Sequence, residues 1–299
     1  MNAKENADQP RLPAETIAHY GSGYEWERLA DGTSRLELVR SQVLLSRFLP
    51  PAPATVLDIG GGPGAYAAWL AREGYQVHLL DAVPLHVTQA REASAQQPDH
   101  PFTAAVGDAR ALPYGDESAD AALLFGPLYH LTERGDRLQA LAEARRVLRP
   151  GGVVLAAAIS RYASLIDGLK RGYLADPGFV RIVERALDDG QHRNPQDHPG
   201  YFTTAYFHHP DELAQEIVAA GLSLDAVLAV EGPGSLLPDL SPWWDDPQRR
   251  DLLLAFIARV EAEPSLLGMG GHLMAVGRRP IGSTANDRSR SRTAATLDE

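Results

Sequence analysis

A β-rich run, Thr55–Ile59, leads directly into Gly60-Gly61-Gly62-Pro63-Gly64, and this junction restricts the fold more than any other segment of the chain. Four glycines in five positions let the backbone turn sharply and lie against a ligand that any Cβ would hold off. A purely structural turn needs one glycine, so the run reads as a strand-to-helix turn with a ligand on its backbone. Gly60, Gly62 and Ala65 formally satisfy G-x-G-x-x-G/A, the pattern of a dinucleotide site. Asp58 argues the other way: at the strand's end its carboxylate repels a pyrophosphate and favours an ammonium or sulfonium. Pro63 also removes one of the N–H groups with which a helix N-terminus holds a phosphate. The ligand that suits this turn is cationic rather than phosphorylated.

Similar runs recur at Gln76–Asp81, Phe102–Val106, Ala119–Phe125 and Val153–Ile159, with helical patterns at about 63–73, 84–96 and 135–148 between them. Strands apolar on both faces and spaced by helices belong to a parallel sheet covered on both sides. The expected fold is a doubly wound, Rossmann-like α/β domain. Two helical regions, about 13–30 and 34–49, precede it. After Ile159 the alternation stops. Residues 160–210 read as an inserted, mainly helical cap, with helices at about 162–172 and 177–189, a polar loop and the aromatic stretch Tyr201–His209. A helix at 211–220, a strand at 222–230, a helix at 247–262 and a strand at 272–278 complete the pattern. The organisation expected is a disordered tail (1–12), an N-terminal helical cap (13–51), a cofactor-binding core (52–159), a substrate cap (160–210), the C-terminal part of the sheet domain (211–279) and a second disordered tail (280–299).

Composition removes several chemistries. The absence of cysteine excludes thiolate nucleophiles and cysteine-ligated metals. Lys4 and Lys170 are the only lysines, which leaves Schiff-base and phosphate-loop chemistry almost without a candidate. Each tail is electrically neutral, so the net charge of −11 lies in residues 13–279. No basic block is available for nucleic acid or an anionic membrane. No apolar run approaches the roughly 18 residues of a membrane span, and the first residues lack the apolar stretch of a signal peptide. A cytoplasmic protein with a small-molecule partner is expected.

Asp81 ends the second run, 21 residues after Gly60, where a carboxylate accepts both hydroxyls of a ribose. Asp108 follows the third run, where a carboxylate accepts an adenine amino group. Alone, the first also suits an NAD enzyme and the second a helix cap. Taken in order, Val56–Gly64, Asp81, Gly107-Asp108-Ala109 and Arg149-Pro150-Gly151-Gly152 resemble the class I S-adenosylmethionine-dependent methyltransferases, specifically the small-molecule group that includes the ubiquinone/menaquinone-biosynthesis type. The resemblance spans Leu49 to about Ile159. It implies a mostly parallel seven-stranded sheet of order 3-2-1-4-5-7-6 with the last strand, 272–278, antiparallel. It also implies S-adenosylmethionine as cofactor. Asp58 would lie near the methionine amino group, directly or through water, with Gly60, Gly61, Gly62 and Gly64 lining its path. Asp81 and the adjoining Ala82 would serve the ribose, Asp108 and the Ala109 backbone the adenine. Phe125-Gly126 would pass beside the sulfonium, and Tyr20, Tyr24 and Trp26 would close over the cofactor.

The segment after strand four narrows the acceptor. Phe125-Gly126-Pro127-Leu128 stands where methyltransferases of base or amide nitrogen carry an Asn/Asp-Pro-Pro-aromatic run. No acid occurs between Asp120 and Glu133, near which divalent-metal catechol enzymes carry their ligands. A metal-free transferase for a small molecule is implied. Methyl transfer from a sulfonium is an in-line displacement, so the protein must align a nucleophile about 3 Å from the carbon and exclude water. A base is needed only where the acceptor sheds a proton. His130 is the first candidate for it, with Tyr129 as wall or hydrogen-bond donor. In the cap, Tyr206 and His208 are further candidates beside Tyr201 and His209. One of His208 and His209 is expected to face inward, the other to cap the helix that Pro210 begins or to be solvated. No histidines have the i, i+4 spacing of a helical metal site, and none is expected. Cap charges sum to zero, which suits a neutral or aromatic acceptor. Trp243 and Trp244 either add to its wall or pack the helix at 247–262. Two alternatives stay open: an NAD(P)-binding oxidoreductase, and a non-catalytic protein that binds S-adenosylmethionine.

Overall fold

A computed structural model describes Thr16, Tyr20 and residues 34–195, 198 and 200–281. Tyr24, Trp26, most of the first expected helix and the tails 1–12 and 282–299 lie outside the described residues. Helix α1 (Ser34–Phe48) stops just before Pro50 and Pro51, since proline cannot donate the N–H that would continue it. Then β1 (Thr55–Ile59), α2 (Ala65–Arg72), β2 (Gln76–Asp81), α3 (Pro84–Ala95), β3 (Thr103–Val106) and β4 (Ala119–Leu124) alternate. A short helix α4 (Pro127–His130), α5 (Arg134–Val147) and the long β5 (Leu148–Ser160) follow.

The next segment comprises α6 (Ala163–Arg171), α7 (Pro177–Asp189), β6 (Gln191–His192) and β7 (Ala205–His208). It is followed by α8 (Pro210–Ala219), β8 (Ser223–Ala229), α9 (Ser241–Trp244), α10 (Pro247–Val260) and β9 (His272–Arg278). β1 pairs in parallel with β2 and β4, β2 with β3, and β4 with β5. β9 lies antiparallel between β5 and β8. Among the described strands the order is therefore β3-β2-β1-β4-β5-β9-β8, the seven-stranded arrangement expected, with the last strand reversed. Two short strands enlarge the sheet: β7 pairs in parallel with the end of β5 at Ile159 and Ser160, and β6 pairs with β7. The cap region is thus not helical throughout. Its aromatic stretch Ala205–His208 is extended because it adds backbone hydrogen bonds to an open strand end.

The sheet is buried on both faces. Along β4, Ala122 and Leu124 pack toward α5 and α8 while Ala121 and Leu123 pack toward α1, α2 and α3. β5 and β9 alternate in the same way, as successive side chains of a strand must. Among the described residues, no helix is long and apolar enough to cross a membrane.

Candidate active site

The strand register determines what meets at the sheet edge. Ile59 pairs with Leu80 and Leu124, and Asp81 with Val106, so β1, β2, β3 and β4 end nearly level. The segments after them, Gly60–Gly62, Ala82–Val83, Gly107–Arg110 and Phe125–Gly126, line one cleft of about 1210 Å³, its open mouth included. In parallel α/β sheets, ligands bind outside the carboxyl ends of the strands.

Gly60 has φ +74°, and a Cβ on it would stand 2.6 Å from Pro127 Cδ, so the first turn and the segment after β4 touch only because this residue is glycine. A Cβ on Gly61 would meet Asp58 Oδ2 at 2.6 Å. Asp58 therefore sits behind the turn and does not line the cleft. It is fully buried, and neither carboxylate oxygen has a donor in good hydrogen-bond geometry among the described residues, the backbone N–H of Ala67 being the one group that works against the rise in its pKa. Burial first, and the neighbouring Asp81 charge second, push its pKa up to about 7. Gly64 begins α2 behind the cleft wall, packed on Phe102 and Ala90.

Asp81 is on the wall and ties two loops together. Its Oδ2 accepts from the Gly62 N–H at 2.8 Å, and its Oδ1 from the Val83 N–H at 2.8 Å, with His86 Nδ1 at 3.2 Å. At the far side, Asp108 and the Ala109 backbone line the cleft, but the Asp108 carboxylate is engaged by Arg110. The guanidinium donates to it at 2.6 Å and 3.0 Å and reaches Asp136 at 2.9 Å. Arg110, two residues after a predicted site residue, and His86, five after another, are wall residues that the motif reading passed over.

Beyond Gly126 the wall is aromatic. Phe125 packs edge-on against Tyr66 at 5.0 Å, and Tyr129 donates to the Phe125 carbonyl at 3.1 Å. His130 is 8% exposed, its Nε2 is 2.7 Å from the Tyr20 hydroxyl, and its ring stacks near Phe202 of the cap. Opposite stand Glu37 and Ser41 of α1 with His272 at the start of β9. Glu231 holds that histidine: His272 Nδ1–H donates to it at 2.6 Å.

Tyr206 and His208 are not brought to the cleft. They belong to a buried ionic network in which Arg137 donates to Glu216 at 2.8 Å and lies 3.7 Å over the Tyr206 ring, with His208 Nε2 3.4 Å from Glu216. Burial opposes ionisation of Glu216, yet the hydrogen bonds from His208 and Arg137 hold its pKa down at about 2. Burial lowers His208 as well, though Glu216 opposes the shift. His209 caps α8 in a reciprocal arrangement with Glu212. Trp244 packs with Leu36 and Ile257, away from the cleft.

Residues 57–156 match the family model described as a methyltransferase domain. The chain is 34% identical over 124 residues to a malonyl-[acyl-carrier protein] O-methyltransferase of Pseudescherichia vulneris, covering 42% of this chain and 46% of that protein. To the ubiquinone/menaquinone biosynthesis C-methyltransferase of Dinoroseobacter shibae it is 31% identical over 144 residues, covering 46% and 54%. The chain thus spans about half the length of the curated relatives it matches. Among solved structures, it has the fold of an S-adenosylmethionine-dependent methyltransferase of Methanosarcina mazei, with a TM-score of 0.54 at 19% identity over 80% of this chain and 97% of that one.

Proposed function

We propose that this chain, whose residues 57–156 are a methyltransferase domain, moves the methyl group of S-adenosylmethionine onto oxygen, nitrogen or carbon of a small organic acceptor, without a metal ion. The observation that carries this reading is the convergence of Gly60–Gly62, Asp81, Asp108–Ala109 and Phe125–Gly126 on one cleft. The orphaned carboxylate of Asp58 behind the turn fits a cationic ligand. So does the open space that a Cβ on Gly62 would enter, since it lets a ligand rest on bare backbone.

When bound, the sulfonium supplies a methyl carbon whose leaving group is already activated. The chain's task is then binding, alignment and exclusion of water. Gly60–Gly62 offer backbone contact, and Asp81 keeps acceptor capacity for a ribose hydroxyl at Oδ2, which holds only the Gly62 N–H while each carboxylate oxygen takes two hydrogen bonds. Asp108 and the Ala109 backbone serve the adenine, with Arg110 fixing the Asp108 carboxylate. Tyr129 and His130 face the acceptor, and the hydroxyl of Tyr20 at 2.7 Å steadies the His130 ring. The core 52–159 together with 211–279 holds the cofactor, while the segment 160–210, which reaches His130 through Phe202, covers the acceptor side. The aromatic wall favours a neutral or aromatic acceptor over a polymer.

The test is incubation of the protein with methyl-labelled S-adenosylmethionine and an extract of its source organism, with the labelled product identified by mass. One labelled small molecule that depends on the protein is expected. Label that stays on the cofactor in every extract fraction refutes transferase activity.

A further inference from the structure

The cap holds a second cavity that the proposed reaction leaves unused. It opens beside α7 to about 600 Å³, its mouth included, within the range of small-ligand sites. Asp176 caps α7 and Pro177 begins it, so Arg181, Ile182 and Arg185 fall on one face at helical spacing. The loop after β6 completes the wall with Arg193, His198 and Tyr201.

The zero sum of the cap's charges conceals how they are distributed. Of its six bases, three are occupied elsewhere: Arg161 pairs with Glu212 at 2.6 Å, Arg171 with Asp167 at 3.3 Å, and Lys170 donates to the Ser235 carbonyl. The other three, Arg181, Arg185 and Arg193, all line this cavity. Arg185 meets Asp189 only at 3.8 Å, with both side chains about half exposed, and Arg193 donates to a neutral group, Gln191 Oε1, at 2.7 Å. Among the described residues, Arg181 and Arg193 form no ion pair with a carboxylate. Asp176 feels the Arg181 charge, but its oxygens accept from the Tyr201 hydroxyl at 2.6 Å and the Gly178 N–H at 2.7 Å. Glu184 and Asp188 of the same helix are not part of the lining, and Asp197 of the loop lies outside the described residues.

We propose that this cavity binds a small phosphate monoester, its phosphate among the three guanidinium groups and an apolar or aromatic body against Ile182 and Tyr201. Each guanidinium is a planar fork of five donors with no acceptor, a geometry that meets phosphate oxygens two at a time. A phosphate group offers three terminal oxygens and close to two negative charges, which suits three cations better than one carboxylate does. Ile182 and Tyr201 pack in one cluster with Phe179, which gives the body a firm floor. A nucleic-acid strand needs a continuous basic stripe, whereas Glu184, Asp188 and Asp189 interrupt this helix. The cavity shares no lining residue with the cleft, although Tyr201 directly precedes Phe202, whose ring stands 6.2 Å from that of His130.

The test is calorimetric titration of the intact protein with phenyl phosphate, with and without saturating S-adenosylhomocysteine. One-to-one binding is expected in both, tighter than that of inorganic phosphate or benzoate. Arg181→Gln and Arg193→Gln combined should weaken it by about tenfold or more, each lost donor being charged, while Arg171→Gln leaves it unchanged. S-adenosylhomocysteine affinity should be the same in wild type and both variants, which keeps this result independent of the cofactor reading. With carbon-labelled histidines, and His198→Asn to assign the signal, phenyl phosphate should move the His198 resonance. The proposal is overturned if phenyl phosphate does not bind, if S-adenosylhomocysteine displaces it, if the double variant binds it as wild type does, or if a polyglutamate peptide binds in its place.

Discussion

Asp58→Asn removes a charge while keeping the side chain's shape, and its consequence can be worked out with sign and size. The carboxyl is fully buried with no donor in good hydrogen-bond geometry, and burial pushes its pKa up to about 7. In the unfolded chain it titrates at about 3.9. The folded protein therefore binds this proton more tightly than the unfolded chain does. The contribution of Asp58 to stability is therefore greatest at acid pH, declines as pH rises between the two values, and stays low above the upper one. A displacement of about three pH units at 1.36 kcal/mol each puts the full cost near 4 kcal/mol at pH 8, of which about 1.5 is already present at pH 5. The asparagine amide carries its own cost of about 1–3 kcal/mol, but one that does not change with pH. Guanidinium unfolding should find the variant's stability relative to wild type rising by about 2–3 kcal/mol from pH 5 to pH 8. S-adenosylhomocysteine should act in the opposite sense, its ammonium favouring ionised Asp58, so that wild-type affinity rises toward neutral pH while the variant's stays flat. Parallel stability curves for the two proteins would refute the reasoning, because an unburied or paired Asp58 would titrate like any surface acid.

Asp81→Ala should weaken S-adenosylmethionine binding by about 1.5–3 kcal/mol through loss of a charge-assisted hydrogen bond, read by calorimetry, and unchanged affinity would remove the ribose assignment. Gly60→Ala would force a Cβ to 2.6 Å from Pro127 Cδ at φ +74°, and denaturation should register about 1–3 kcal/mol of lost stability. Arg137→Met leaves Glu216 charged and 2% exposed, and the same assay should give a loss of about 3–5 kcal/mol. His130→Ala should lower turnover on the acceptor found by labelling more than it lowers cofactor affinity. Equal losses in both would make His130 a cofactor contact.

The strand-end positions around the cleft were readable because their signals are local, though not that Asp58 turns behind the glycine turn instead of into the cleft. Asp58, the glycine turn, Asp81 and Asp108 each lie at or within two residues of a strand end, and period and turn chemistry identify strand ends. What escaped the reading depends on distant pairing. Tyr206 and His208 looked like acceptor ligands in an aromatic stretch, but Arg137 and Glu216, on two other helices, draw them into an ionic network. Glu37, Glu231 and His272 carry no shared motif, and only the insertion of β9 between β5 and β8 sets the last two beside α1. Charge was sought in the cap, whose sum is zero, whereas Glu37 of α1 and His272 of β9 line the cleft from outside the cap. The strand at Ala205–His208 exists because the end of β5 offers it a partner.

The central claim is that this cleft binds S-adenosylmethionine, and calorimetric titration with S-adenosylhomocysteine, with NADH titrated in parallel, tests it most directly. The account predicts saturable one-to-one binding of S-adenosylhomocysteine that Asp81→Ala weakens, and no heat from NADH. Heat from NADH alone, or S-adenosylhomocysteine binding that is indifferent to Asp81, would contradict it.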